Sequence, residues 1–175
     1  MNINTTYTKI ITDEDLMETV QHGSNLYPFQ FYYEDLSVFD FNCVEWHWHT
    51  ELEFIYIESG TVTLWIGEDQ FHLTEGNGIF INTKVLHRLY SPSKALIPNF
   101  VFMPSFIAPC DSLIYQKYIL PIISSSLPFL VFHKKVCWQA KVLSIMRQII
   151  SAQDSVSSKE LLTSSLLQNL WLEIF

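Results

Sequence analysis

The first 80 of the 175 residues contain a single basic side chain, Lys9, against 14 of the chain's 18 acids. With a formal charge of −8 and no clustered lysine or arginine stripe, the chain lacks the electrostatic footprint needed to hold a phosphate backbone. Any nucleic-acid role must reside elsewhere. No apolar run approaches the ~18 residues of a membrane-spanning helix, so no bilayer crossing is expected. The start, Met1-Asn2-Ile3-Asn4-Thr5-Thr6, lacks the basic-then-apolar layout of a secretory signal, and the cytoplasm is the expected location. Cys43, Cys110 and Cys137 are odd in number and form no Cys-x-x-Cys pair; reduced thiols without a role are expected. There is no Gly-x-Ser-x-Gly elbow and no phosphate-cradling glycine loop. Glycine is absent after residue 78, whereas six of the seven prolines follow residue 80, so turn-rich structure comes first.

What remains is a chain that is 49% hydrophobic and 15% aromatic, enough for one folded domain with a sizeable core. Residues 12–22 carry acids ahead of Leu16, Met17 and Val20 and read as a short capped helix that Gly23 ends. Short β-branched and aromatic runs follow at 29–33, 44–48, 52–57, 62–66, 70–73, 78–81, 86–90 and 96–102, the spacing of a sandwich or barrel. After Phe106 the pattern turns helical. A helix is expected over 111–119, stopped by Pro121, then one more strand at 129–132 and a helix over 136–150. A polar linker at 151–158 leads to a second helix, opened by a Ser157/Glu160 capping box and striped by Leu162, Leu166, Leu170 and Ile174. Because that helix ends on Leu170-Trp171-Leu172-Glu173-Ile174-Phe175 without cap signals, a longer protein is expected to continue past it.

The chemistry is concentrated in His47-Trp48-His49-Thr50-Glu51-Leu52-Glu53. Alternation along a strand puts His47 and His49 on one face, and Glu53 returns to it if the chain stays extended. His87 would project into the same interior from an opposing strand. Three nitrogens and one oxygen suit a divalent transition metal such as zinc, nickel, iron or manganese. The same groups would also serve as hydrogen-bonding walls of an organic-ligand pocket, or as mere core polar residues. Ile55 shares Glu53's parity and would line the barrel; Glu51 shares it too, so either carboxylate is a candidate. His22, His72 and His133 read as surface or capping histidines.

His47-x-His49-x3-Glu53-x6-Gly60 resembles the first motif of the cupin superfamily, and Gly76-x4-Ile81-x5-His87 the second. Three departures stand out: Phe41 where the motif opens with glycine, Asn77 for aspartate, and Asn82 for proline. More narrowly, the stretches 20–24, 46–49, 51–56 and 80–87 with the trailing helices resemble the N-terminal effector-binding domain of AraC/XylS-type transcription regulators. The resemblance implies a mainly β fold, a cupin-type double-stranded β-helix (jelly-roll) barrel followed by C-terminal helices. It implies a lead-in over 1–28, a barrel over 29–107 and a helical dimerisation and linker segment over 108–175. It further implies a small-molecule effector, with a sugar or sugar derivative as one class, meeting His47, His49, Glu53, Ile55 and His87. A homodimer through the C-terminal helices and DNA contact through a helix-turn-helix domain beyond this chain are also implied. The alternative is a free-standing metal-dependent cupin enzyme, an isomerase or dioxygenase.

Overall fold

A computed structural model describes residues 8–155 and 157–175; residues 1–7, on which the expectation about a leader rests, and Val156 of the polar linker lie outside the described residues. Among the described residues nine strands form two antiparallel sheets. One is ordered β1 (Phe29–Asp35), β8 (Leu96–Phe102), β3 (Leu52–Tyr56), β6 (Gly78–Ile81) and β9 (Phe129–Phe132). The other is ordered β2 (Cys43–His47), β7 (His87–Tyr90), β4 (Thr61–Ile66) and β5 (Asp69–Thr74). The architecture is the expected mainly β barrel with helices after it. β9 lies within the 108–175 segment yet completes the larger sheet through its pairing with β6.

Alternation along the strands sorts side chains onto two faces. Ile55, Ile57, Ile79, Ile81 and Ile97 turn inward and meet Val62, Leu64 and Leu73 of the facing sheet. Leu52, Phe54, Phe80, Phe100, Phe102 and Phe132 turn outward, where α2 (Cys137–Ala152) and α3 (Lys159–Ile174) cover them with Val142, Met146, Leu167 and Trp171. Burying each of these side chains contributes about 1.5–3 kcal/mol, so the helices belong to the core. The buried stripe of α3 runs through Thr163, Leu167, Leu170 and Trp171, rotated from the expected stripe, and leaves Leu161 and Leu162 exposed. Its N-cap is Ser158 with no side-chain cap bond, so the expected Ser157/Glu160 capping box does not form.

Two further expectations are corrected. Residues 12–22 form a strap of turns and bridges, not a helix. The Asp13 carboxylate accepts from the amides of Asp15 and Met17, and Leu16 sits at φ 65°. Trp48 then pairs with the strap on both sides, its amide donating to the Leu16 carbonyl and its carbonyl accepting from the Glu18 amide. Backbone partners supplied from the end of β2 thus replace those a helix would supply itself. Nor does Pro121 stop its helix. Residues 115–119 form a π-helical turn in which the Leu120 amide donates to the Tyr115 carbonyl, and α1 (Leu120–Ile123) carries the chain through the proline. The wider turn avoids the clash between the proline ring and the carbonyl four residues back.

The motif departures are absorbed locally. Phe41 takes the left-handed conformation that glycine adopts freely, at φ 57°, and its ring is 90% exposed. Asn77 donates to the Thr74 carbonyl and hydroxyl and accepts from the Lys134 amide. Asn82 donates its side-chain amide to the carbonyls of Ile122 and Leu127 and accepts from the Thr83 amide, tying the end of β6 to the helical segment.

Candidate functional site

His47 faces the barrel interior because β2 carries a bulge. Val44 opposes Leu89, yet His47 opposes His87, so one extra residue stands on β2 between them. Strict alternation would have turned His47 outward once Val44 pointed in. The bulge places His47 and His87 side by side with ring centroids 4.1 Å apart, and His49 lies 5.3 Å from His87 by the same measure.

Each of the three imidazoles is held by a backbone carbonyl two residues away: His47 Nδ1 by Glu45 at 2.8 Å, His87 Nδ1 by Val85 at 2.8 Å, and His49 Nδ1 by Glu51 at 3.2 Å. A carbonyl only accepts, so Nδ1 carries the proton and Nε2 of a neutral ring presents its lone pair inward. One ligand nitrogen from each ring lies within 4.8 Å of the others. Glu53 Oε2 stands 3.5 Å from His49 Nε2 and 3.2 Å from His87 Nε2. Even so, among the described residues Glu53 Oε2 and His87 Nε2 are buried without a hydrogen bond in acceptable geometry.

The electrostatics follow from burial and proximity. Burial and the adjacent His87 push His47 well below the ordinary histidine range. Burial pulls His49 down as well, but the Glu53 carboxylate outweighs it and raises this histidine. Burial would raise Glu53, and His49 and His87 outweigh that, holding it well below the usual carboxylate range.

His47, His49 and Glu53 line a cavity of about 30 Å³ together with Ile55, while His87, fully buried, stands behind Glu53 and His47 and does not line it. Of the two candidate carboxylates it is Glu53 that faces the cavity, while Glu51 lines an outer groove of about 460 Å³. His22 is corrected from a surface residue to a buried one that borders both spaces. Its Nδ1 lies 2.9 Å from the Tyr32 hydroxyl and its Nε2 3.2 Å from Glu18 Oε2. Tyr32, Glu34 and Asn99 also line the cavity, and Asn99 donates to Glu34 at 2.8 Å. Sequence reasoning missed this group, although an asparagine amid the apolar run of β8 and the alternation of β1 were usable signals. Trp48 serves as a clasp, its indole N–H donating to the Asp15 carbonyl of the strap.

A family model described as the AraC-like ligand binding domain matches residues 31–171. The uncharacterized HTH-type transcriptional regulator YdeC of Bacillus subtilis (strain 168) is 24% identical over 143 residues, covering 79% of this chain and 48% of YdeC. The chain thus spans about half the length of this curated relative. An apo ToxT variant from Vibrio cholerae superposes with a TM-score of 0.58 at 11% identity, covering 89% of this chain and 57% of ToxT. ToxT bound to (E)-4-(8-methylnaphthalen-1-yl)but-3-enoic acid gives 0.54 at 13% identity, covering 81% and 54%. At such identities the likeness establishes the fold.

Proposed function

Because the chain belongs to the AraC-like ligand-binding domain family, we propose that it is the effector-sensing part of a transcription regulator, its ligand site built on His47, His49, Glu53 and His87. DNA contact would be made by a helix-turn-helix portion of a longer protein. The family match favours sensing over the catalytic alternative.

One observation carries the site: Glu53 Oε2 and His87 Nε2 are buried only 3.2 Å apart, and among the described residues neither has a hydrogen bond in acceptable geometry. Orphaned acceptors of this kind are costly unless a cation or donor joins them. A divalent transition ion fits three inward lone pairs and one ionised carboxylate, with Nδ1 of each ring anchored as metal-bound imidazoles require. When bound, such an ion would supply a fixed positive charge on the cavity floor. Ile55 supplies an apolar wall that keeps water out.

Elemental analysis after dialysis against zinc, nickel, manganese or iron(II) tests this. One ion per chain, with affinity lowered at least ~100-fold by His49→Ala, is the expected result. Failure to take up any ion under metal-replete conditions, or equal uptake by His49→Ala, refutes the metal floor.

The exposed Leu161, Leu162 and Leu172 of α3 offer an apolar surface for association with a second copy. Sedimentation equilibrium should find a dimer that Leu161→Glu combined with Leu172→Glu converts to monomer. A monomer at all concentrations removes the dimer from the proposal.

A further inference from the structure

The permanently charged side chains that line the cavity and the groove beside it are all carboxylates. Glu18, Glu34 and Glu53 line the cavity and Glu51 lines the groove; among the described residues bordering either space there is no lysine or arginine. Each of the three cavity carboxylates belongs to a buried residue. His22 is the wall the two spaces share, and its Nε2, on a side chain only 3% exposed and 3.2 Å from Glu18 Oε2, has no hydrogen bond in acceptable geometry among the described residues.

We propose that this paired space takes a small organic amine, its ammonium head seated among Glu18, Glu34 and His22 beside His47 and His49 and its body lying in the outer groove. The proposal rests on the reading of the barrel interior as the ligand pocket and names the chemical class of that ligand.

Size supports the division of labour. About 30 Å³ is close to the share of one water molecule in the liquid, enough for one ammonium head but not for the whole of an organic molecule. The groove of about 460 Å³ does hold one, and His22 stands between the two spaces. Charge selects the head group. When Nδ1 of His22 donates to Tyr32, Nε2 presents a lone pair beside Glu18 Oε2, and the two accept jointly from one ammonium. A carboxylate or phosphate would instead lose its water among acids of its own sign. Burial, followed by Glu18, Glu34, Glu53 and Glu51, pushes the Tyr32 phenol well above its ordinary range, as a negative potential across both spaces requires.

The test is calorimetric titration of the full chain, metal-free and metal-loaded, with 1,4-diaminobutane, 1,4-butanediol and succinate. These three share a four-carbon backbone and differ in charge. The diamine should bind at least about tenfold tighter than the diol, with no heat from succinate. Glu18→Gln and Glu34→Gln should each weaken the diamine about tenfold, with ion uptake unchanged and thermal melting reporting that the variants fold. Absence of diamine binding at millimolar concentration, binding of succinate or the diol as tightly, or diamine affinity untouched by both substitutions overturns the proposal. His49→Ala separates the two readings: loss of the ion with the amine retained is expected. A chain that takes the amine but never an ion refutes only the metal floor; one that takes the ion but no amine refutes only this inference.

Discussion

The two faces of the five-stranded sheet are built from the same strands and do opposite things. Along β3, Leu52, Phe54 and Tyr56 look toward the helices, while Glu53 and Ile55 look into the barrel. The outer face is a ladder of rings: Phe54 lies with its centroid 5.0 Å from Phe80, 5.3 Å from Phe100 and 6.3 Å from Phe132. The inner face is aliphatic at one end and polar at the other, with little free volume and several acceptors that lack donors. Aromatic packing is thus concentrated on one side of a single layer, and the buried titratable groups on the other.

The sharpest way to break this contrast is Phe54→Ala. Removing the centre of the ring ladder should cost about 3–5 kcal/mol in urea unfolding, with ion affinity staying within about threefold. Equal losses in both readouts would mean the faces are not separable. Next comes Gly78→Ala on β6. An added Cβ would stand 3.0 Å from the Ile55 carbonyl oxygen and from Leu143 Cδ2, and 3.1 Å from Met146 Cε. Overpacking there should cost about 1–3 kcal/mol and loosen α2, seen as faster amide exchange in 137–152.

On the inner face, pH should separate two neighbouring histidines in the ion-free protein. His49, raised by Glu53, stabilises the fold below its unfolded value of about 6.5, and this support fades as pH climbs through its higher folded value. His47, lowered by burial and His87, does the reverse: as pH falls below about 6.5 the unfolded chain takes up a proton the folded one refuses. Between pH 5 and 8, His49→Ala should therefore lose most stability at the acid end. His47→Ala should gain there, each by on the order of 1 kcal/mol. Parallel profiles for the two would contradict the geometry. The smallest effect belongs to Phe41→Gly, off both faces, which should stabilise by about 0.5–1 kcal/mol through relief of the left-handed backbone.

Much of this architecture was legible in the residues. Short β-branched and aromatic runs between turn residues located the strands to within one or two residues, and the spacing of His47, His49, Glu53 and His87 pointed to groups that lie close together. What was hidden is tertiary. The bulge in β2 that turns His47 inward has no local signature. Residues 12–22 have helical spacing and acids in place, yet backbone bonds to Trp48, some thirty residues on, override them. Glu18 and His22 belong to that strap, so misreading it hid them as well. Pro121 would end an ordinary helix, but the π turn before it changes which carbonyl the ring meets.

Asn82 has a mechanical consequence. Proline has no amide hydrogens to give at this position, whereas Asn82 fastens the turn leading to His87 onto the chain at Ile122 and Leu127 with two bonds of 3.0 and 2.9 Å. That joint is a load path. A displacement of the 82–87 turn is passed to the helical segment as movement of the whole piece instead of being dissipated in a slack loop, and the segment in turn stiffens the turn that aims His87.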